Sequence, residues 1–384
     1  MTAGAFDALL LASFGGPEGQ DDVLPFLRNV TAGRGIPEDR LEEVAGHYRH
    51  FGGVSPINAQ NRALKTALEA ALASRGIDLP VYWGNRNWTP YFADAVRLAH
   101  EAGHDRLLAL VTSAYTSYSG VGQYREDFEK ALADTGLGGV VTIDRIREFF
   151  DHPGFIAPLV ESVRAAVTRF AEGDWPGSAG IHIVFVTHSI PVAAAEASGR
   201  GTGREFGTGG AYVAQHRAVA DLIAHRAAPG VPYSLAYQSR SGSPATPWLE
   251  PDVNDELERL AERGAVRSVV VVPIGFISDH MEVKWDLDNE AAETARDLDL
   301  RFARVATVGV QQPFIDGLVD LILERVNDVP EAERRHETAL GPWPDHPTVT
   351  GAGERRSVEG EPGKGATPAG GPESLAGGRH EVQV

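Results

Sequence analysis

The sequence of 384 residues predicts an α/β fold made of two Rossmann-like doubly wound domains, each a parallel four-stranded sheet flanked by helices, with a cleft between them. Three observations carry that expectation. Apolar residues recur in continuous β-branched blocks such as Val269–Val272, which is how strands covered on both faces read. Each block is followed by a stretch of helical periodicity, so the repeating unit is βα and the strands run parallel. Roughly four such units fall in each half of the chain, which sets the two sheets.

Taken in order, Phe6–Ser13 reads as a central strand that ends in Phe14-Gly15-Gly16-Pro17, where the glycines permit a tight turn and close approach of backbone to a ligand. No GxGxxG follows, so a dinucleotide site is not indicated. Helices are expected over Gln20–Leu27 and Glu38–His50. After the loop Phe51–Pro56, in which Ser55 is placed to cap, another is expected over Asn58–Ser74 with Leu64, Leu68 and Leu72 on one stripe. The strands Leu79–Gly84, Arg106–Thr112 and Val140–Ile143 alternate with helices Tyr91–Ala102 and Gly120–Thr135. The helix Phe155–Ala171 carries Pro158 in its first turns, where the missing N–H is tolerated. A Pro/Gly-rich link, Asp174–Ala179, leads to the second half. There the strands are Ile181–Thr187, Tyr233–Gln238, Arg267–Ile274 and Arg301–Val305, with helices Tyr212–His225, Val253–Arg263 and Gln312–Val326. The expected division is an N-terminal domain over 1–150, a C-terminal domain over 151–310, a closing helix within 311–330 packing back on the N-terminal domain, and a disordered tail over 340–384, rich in Gly and Pro without periodicity.

Composition narrows the chemistry. A net charge of −18 argues against nucleic acid and anionic membrane as partners. With no cysteine there is no disulfide, thiolate nucleophile or Cys-ligated zinc or iron–sulfur cluster, so any metal must meet His or oxygen ligands. No signal peptide and no apolar run of about 20 residues is visible, which points to a cytoplasmic protein without a stable membrane anchor. A monomer is expected.

The most informative stretch is Val269–Glu290. A buried strand closes in Pro273-Ile274-Gly275, Ser278 or Asp279 is placed to cap, and a helix follows on which Glu282, Asp286 and Glu290 share roughly one face over ~12 Å. Like charges at this spacing repel, so helix propensity does not ask for them. A solvated face of an acidic protein accounts for such a row; a track for hard cations or protons accounts for it too. The row starts beyond the carboxyl end of a strand, where open α/β sheets hold ligands. His188, at the end of VFVTH, occupies the same place in its own βα unit. Imidazole with carboxylate suits divalent first-row metals and proton transfer. There is no HExxH and no Ser-His-Asp context, so hydrolase chemistry lacks support. Phe14, Tyr48, Trp83, Trp88, Tyr115, Tyr118, Tyr124 and Trp285 near strand or loop ends would suit a flat apolar ligand, with Arg34, Arg49, Arg86 and Arg125 as candidates to pair its acid groups.

Five segments carry a resemblance to a known family: SFGGP (13–17), HYRHFGGVSPIN (47–58), VTHSIP (186–191), YQSRSG…PWLEPD (237–252) and PIGFISDHMEVKWDLDNE (273–290). In this order and spacing they resemble ferrochelatases, and are most similar to the bacterial coproporphyrin ferrochelatases, over about Phe6–Val326. The resemblance implies insertion of Fe²⁺, as substrate, into coproporphyrin III in haem synthesis. It implies His188 and Glu282 as catalytic and metal-binding residues, Asp286 and Glu290 as an outer acidic track, and Ser55, Tyr124, Tyr48 and Phe14 as porphyrin-contacting positions. Phe14 sits where several relatives carry a tyrosine that reaches the porphyrin metal, and a phenyl ring has no oxygen to offer. Protoporphyrin IX as substrate, another chelatase using cobalt or nickel, and a non-catalytic tetrapyrrole or metal carrier stay open as alternatives.

Overall fold

The structure, a computed structural model, describes residues 5–33, 35–172, 179–240 and 245–351. Arg34, all but Ala179 of the expected link Asp174–Ala179, and Ser241 and Gly242 of the fourth motif lie outside the described residues, as do 352–384.

All eight expected strands form, in two parallel sheets. The first holds β1 (Ala8–Ser13), β2 (Val81–Asn85), β3 (Arg106–Val111) and β4 (Thr142–Arg145), in the order β2-β1-β3-β4. The second holds β5 (Ile181–His188), β6 (Tyr233–Gln238), β7 (Ser268–Val272) and β8 (Arg301–Arg304), in the order β6-β5-β7-β8. The strand order is the same in both, with the first strand of each half in the interior of its sheet. The helices are α1 (Val23–Val30), α2 (Glu38–His50), α3 (Ile57–Ser74), α4 (Phe92–Glu101), α5 (Gln123–Thr135), α6 (Pro153–Ala171), α7 (Val192–Ala197), α8 (Gly210–Ala227), α9 (Val253–Glu262), α10 (Met281–Val283), α11 (Ala292–Asp297) and α12 (Gln312–Val326). The short α7 was not expected: six residues of Val, Ala and Glu are too few to show a period.

Alternate residues of each strand face opposite layers, and the core divides accordingly. Leu9 and Leu11 of β1 share one buried cluster with Ile183 and Phe185 of β5, joined by side chains of α3, α6, α8 and α12. The two sheets therefore have a common core on their facing sides. Ala8, Leu10 and Ala12 turn instead to α4 and α5. Val184, Val186, Val269 and Val271 turn to α9 and the acidic helical segment. Helices α1 and α2 form a small cluster of their own around Phe26, Leu27, Leu41 and Val44. The expected closing helix is α12, which packs on both α6 and α3 and so lies between the two sheets.

The C-terminal segment differs from the expectation of a tail from 340. Residues 341–351 form a strap across the molecule. Trp343 is buried against Phe150 and Phe206, with ring centroids 5.8 and 5.6 Å away, and the Arg204 guanidinium lies 5.2 Å from its ring. Arg334 pairs with Asp345, and His346 with the buried Glu148. Val349 exchanges both backbone hydrogen bonds with Ile143 at the edge of β4, each 2.8 Å. Composition rich in Gly and Pro concealed one aromatic anchor and one strand-edge residue, which suffice because partners already in the fold hold them.

Candidate active site

Two strand ends in the second sheet bring the chemistry together. β5 ends in His188, and β7 runs through Pro273-Ile274-Gly275 into the segment carrying Glu282. The approach requires Gly275: a Cβ there would meet Thr187 Oγ1 at 2.1 Å, while the Gly275 N–H donates to the Val186 carbonyl at 3.2 Å. Across that contact His188 Nε2 lies 3.8 Å from Glu282 Oε2, with the side chains 31% and 34% exposed, so both are within reach of a bound molecule. His188 Nδ1 bonds the Ser189 carbonyl. A carbonyl only accepts, so Nδ1 carries the hydrogen and, in the neutral ring, Nε2 presents its lone pair toward Glu282. Tyr212 fixes the strand end from behind, its hydroxyl donating to the His188 carbonyl at 2.8 Å.

The acidic helix is not an α-helix along its length. Lys284–Ala291 is π-helical, flanked by α10 and α11. Val283, Leu287, Ala291 and Ala295 pack on the second sheet at a spacing of four, beside the acidic row at the same spacing. The capping expectation fails here. The Asp279 carboxylate is taken by Arg304, 2.7 Å away, and accepts from the Thr307 N–H at 3.3 Å, so the helix starts after His280 with no side-chain cap.

Along the row the three carboxyls have different surroundings. Glu282 faces His188. Asp286 is 2% exposed and accepts from Gln238 Nε2 at 2.9 Å and from the Ser239 hydroxyl; burial lifts its carboxyl well above the ordinary range, partly offset by the Ser239 bond. Ser239 reaches it from a left-handed backbone, φ 59°, which for a residue other than glycine costs about 1–3 kcal/mol. Glu290 accepts from Trp285 Nε1 at 2.8 Å. One imidazole missed in the sequence reading belongs beside them. His280 is held below the ordinary histidine range by burial, with Glu282 pulling the other way and His188 adding to the depression. Its signal was proximity to Glu282 in sequence, read only as a place for the helix to begin.

The opposite wall belongs to the first half of the chain. A cavity of about 50 Å³ lies between Glu282, Asp286, Met281 and Trp285 on one side and Phe14, Phe26, Val30, Val44, His47 and Tyr48 on the other. Phe14 packs edge-on to Phe26 at 6.4 Å, and Phe26 lies 5.9 Å from Tyr48, giving an aromatic surface. His47 stacks on Trp285 at 3.9 Å, joining α2 to the π turn. Burial, with Glu282 and Asp286 nearby, raises the Tyr48 phenol far above its ordinary value, so it stays a neutral donor.

Phe14, Tyr48, Glu282 and Asp286 therefore line one cavity, with His188 facing Glu282. Ser55 is buried under Gly16, where a Cβ would come within 2.9 Å of its hydroxyl. It does not cap α3, whose first turn has no side-chain cap bond. Tyr124 is not among the residues lining this cavity: its ring is buried between Phe92 and Phe128 on the α4/α5 side of the first sheet, under the Arg86 guanidinium at 4.0 Å. Three candidate arginines have carboxylate partners of their own, Arg49 with Glu42, Arg86 with Asp127 and Arg125 with Glu129.

Residues 6–326 match the ferrochelatase family. The chain belongs to that family. It is 58% identical over 348 residues to a coproporphyrin III ferrochelatase of Leifsonia xyli subsp. xyli, with 89% of each chain covered. It is 55% identical over 326 residues to a coproporphyrin III ferrochelatase of Streptomyces griseus, covering 83% of this chain and 85% of that one. A protein of Rhodopirellula baltica named ferrochelatase is 44% identical over 340 residues, covering 88% and 91%.

Proposed function

We propose that this ferrochelatase inserts ferrous iron into coproporphyrin III, and that His188 and Glu282 handle the metal and the protons. The observation that carries the mechanism is the 3.8 Å apposition of His188 Nε2 and Glu282 Oε2, Glu282 being a lining residue of the cavity. The choice of porphyrin follows the relatives named coproporphyrin III ferrochelatase over most of their length.

Insertion requires Fe²⁺ to shed water, two pyrrole N–H protons to leave, and the ring to bend so that its lone pairs meet the metal. A neutral His188 Nε2 and the Glu282 carboxylate replace water ligands, and each accepts a proton as the iron moves to the ring. Two protein ligands leave the remaining positions of the ion for the porphyrin nitrogens. Asp286 and Glu290 continue the row away from the pair and form the route by which cations or protons pass. Phe14, Phe26 and Tyr48 press on the ring from the other side, using binding energy from its rim to hold it bent. The cavity of 50 Å³ is small beside the ~300–1,000 Å³ of ordinary small-molecule pockets, so the walls part when the ring enters. Helices α1 and α2, with their own small core, are the natural unit to move.

The test is a spectroscopic insertion assay with purified protein and Fe²⁺, run in parallel on coproporphyrin III and protoporphyrin IX, with Co²⁺ and Ni²⁺ as further metals. Catalytic formation of Fe-coproporphyrin III, faster than the protoporphyrin product, is the expected result. Preference for protoporphyrin IX overturns the substrate assignment. Stoichiometric binding without turnover would make the chain a carrier.

A further inference from the structure

The start of α3 contains three carboxamides within four residues, Asn58, Gln60 and Asn61, and each is spent on a different piece of the cavity's frame. Asn58 Nδ2 donates to the Gly16 carbonyl at 3.0 Å, and Asn61 Nδ2 to the Ser13 hydroxyl at 2.7 Å. Both fix the turn that presents Phe14. Gln60 points the other way. Its Nε2 donates to the Asp279 carbonyl at 3.2 Å, and the Asp279 N–H donates to its Oε1 at 2.9 Å, across 219 positions of sequence. One side-chain amide thus mimics a backbone neighbour and ties a helix over the first sheet to the turn that precedes Glu282 in the second.

A half-buried glutamine is ordinarily solvated and makes transient bonds. Here both polar atoms engage the backbone of a single residue, and that residue is itself immobilised. The Asp279 carboxylate is held by Arg304 at 2.7 Å and by the Thr307 N–H at 3.3 Å. Arg304 also bridges to both oxygens of Asp288 on the π turn, each at 2.7 Å. Asp279 is therefore a knot: its side chain belongs to the second sheet, its backbone is gripped from the first, and Glu282 follows three residues later.

We propose that Gln60 is a positioning residue for metal insertion, setting how far Glu282 and its helix stand from the Phe14 wall by holding the Asp279 backbone to α3. This rests on the iron-insertion reading above. Gln60 touches neither iron nor porphyrin in that reading; it acts through Asp279.

The discriminating variants are Gln60→Met, which keeps the length and packing of the side chain while removing both hydrogen bonds, and Gln60→Glu, which keeps an acceptor for the Asp279 N–H but loses the donor to its carbonyl. Two neutral hydrogen bonds amount to about tenfold in an equilibrium constant. Gln60→Met is expected to raise KM for Fe²⁺ about tenfold at nearly unchanged coproporphyrin affinity, with a thermal midpoint only about 2 °C lower and Gln60→Glu intermediate. Amide hydrogen exchange read without metal or porphyrin should quicken at Asp279 in Gln60→Met and stay slow in Gln60→Glu. Wild-type dependence on iron in Gln60→Met, or an equal loss of porphyrin affinity, overturns the proposal. If the wild-type chain inserts no iron at all, the functional reading falls, and exchange at Asp279 alone judges the tie: no change in Gln60→Met removes it.

Discussion

The two walls of the cavity are built from matching pieces of fold and do opposite things. Both sheets have the same strand order; the interior first strand leads in one into Phe14, which lines the cavity, and ends in the other in His188, which faces the lining residue Glu282. The first delivers a phenyl ring backed by Phe26 and Tyr48; the second delivers an imidazole facing a carboxylate. A repeated architecture thus supplies position, while the residue at the strand end supplies an apolar ring on one side and an imidazole on the other. A flat ring with a cation inserted from one face needs that asymmetry.

Breaking the chemical wall should have the largest effect. His188→Ala is expected to lower the rate of iron insertion by on the order of 10³-fold, while coproporphyrin binding, followed by fluorescence quenching, stays near wild type. Parallel losses of rate and binding would mean the two walls do not divide the work. Next in size is the C-terminal strap anchored by Trp343. Trp343→Ala empties a buried site and should cost about 3–5 kcal/mol, read by denaturant unfolding. A truncation after residue 340 should be at least as damaging, and one after 351 much less so. A truncation at 340 that left stability intact would return that segment to the status of a tail.

The shape wall is tested by Phe14→Ala. It should weaken porphyrin binding by about 1–2 kcal/mol, roughly tenfold, for the apolar area lost, and leave KM for iron nearly unchanged. That is the mirror image of His188→Ala. The smallest effect belongs to Asp286→Asn. Because burial raises the Asp286 carboxyl, the folded chain keeps a proton that the unfolded chain releases above about pH 4, so this group costs stability as pH rises past the unfolded value. The amide still accepts from Gln238 and Ser239. The variant should be more stable than wild type near pH 7, with the difference closing toward pH 4, in thermal scans across that range. A constant difference at all pH values would show that packing, not protonation, sets it.

The sequence by itself determined the two parallel sheets, because continuous apolar blocks between helical periods leave few other arrangements. It also placed His188 and Glu282 at the ends of their respective βα units. The spacing of four shared by Val283, Leu287, Ala291 and Ala295 did not announce the π turn, because Leu64, Leu68 and Leu72 have the same spacing on the regular α3. Local pattern could not decide what depends on partners distant in sequence. Tyr124 was legible as an aromatic near a strand end, yet its packing against Phe92 and Phe128 was not. Trp343 lies in a stretch whose composition reads as unfolded, and becomes ordered because Phe150, Arg204 and Phe206 form a site for it. The 3.8 Å between His188 and Glu282 exists because Gly275 lets one strand end sit on Thr187. Side-chain type follows from the sequence directly. Which side chains meet follows from the close packing of elements, and a single absent Cβ there decides whether they meet at all.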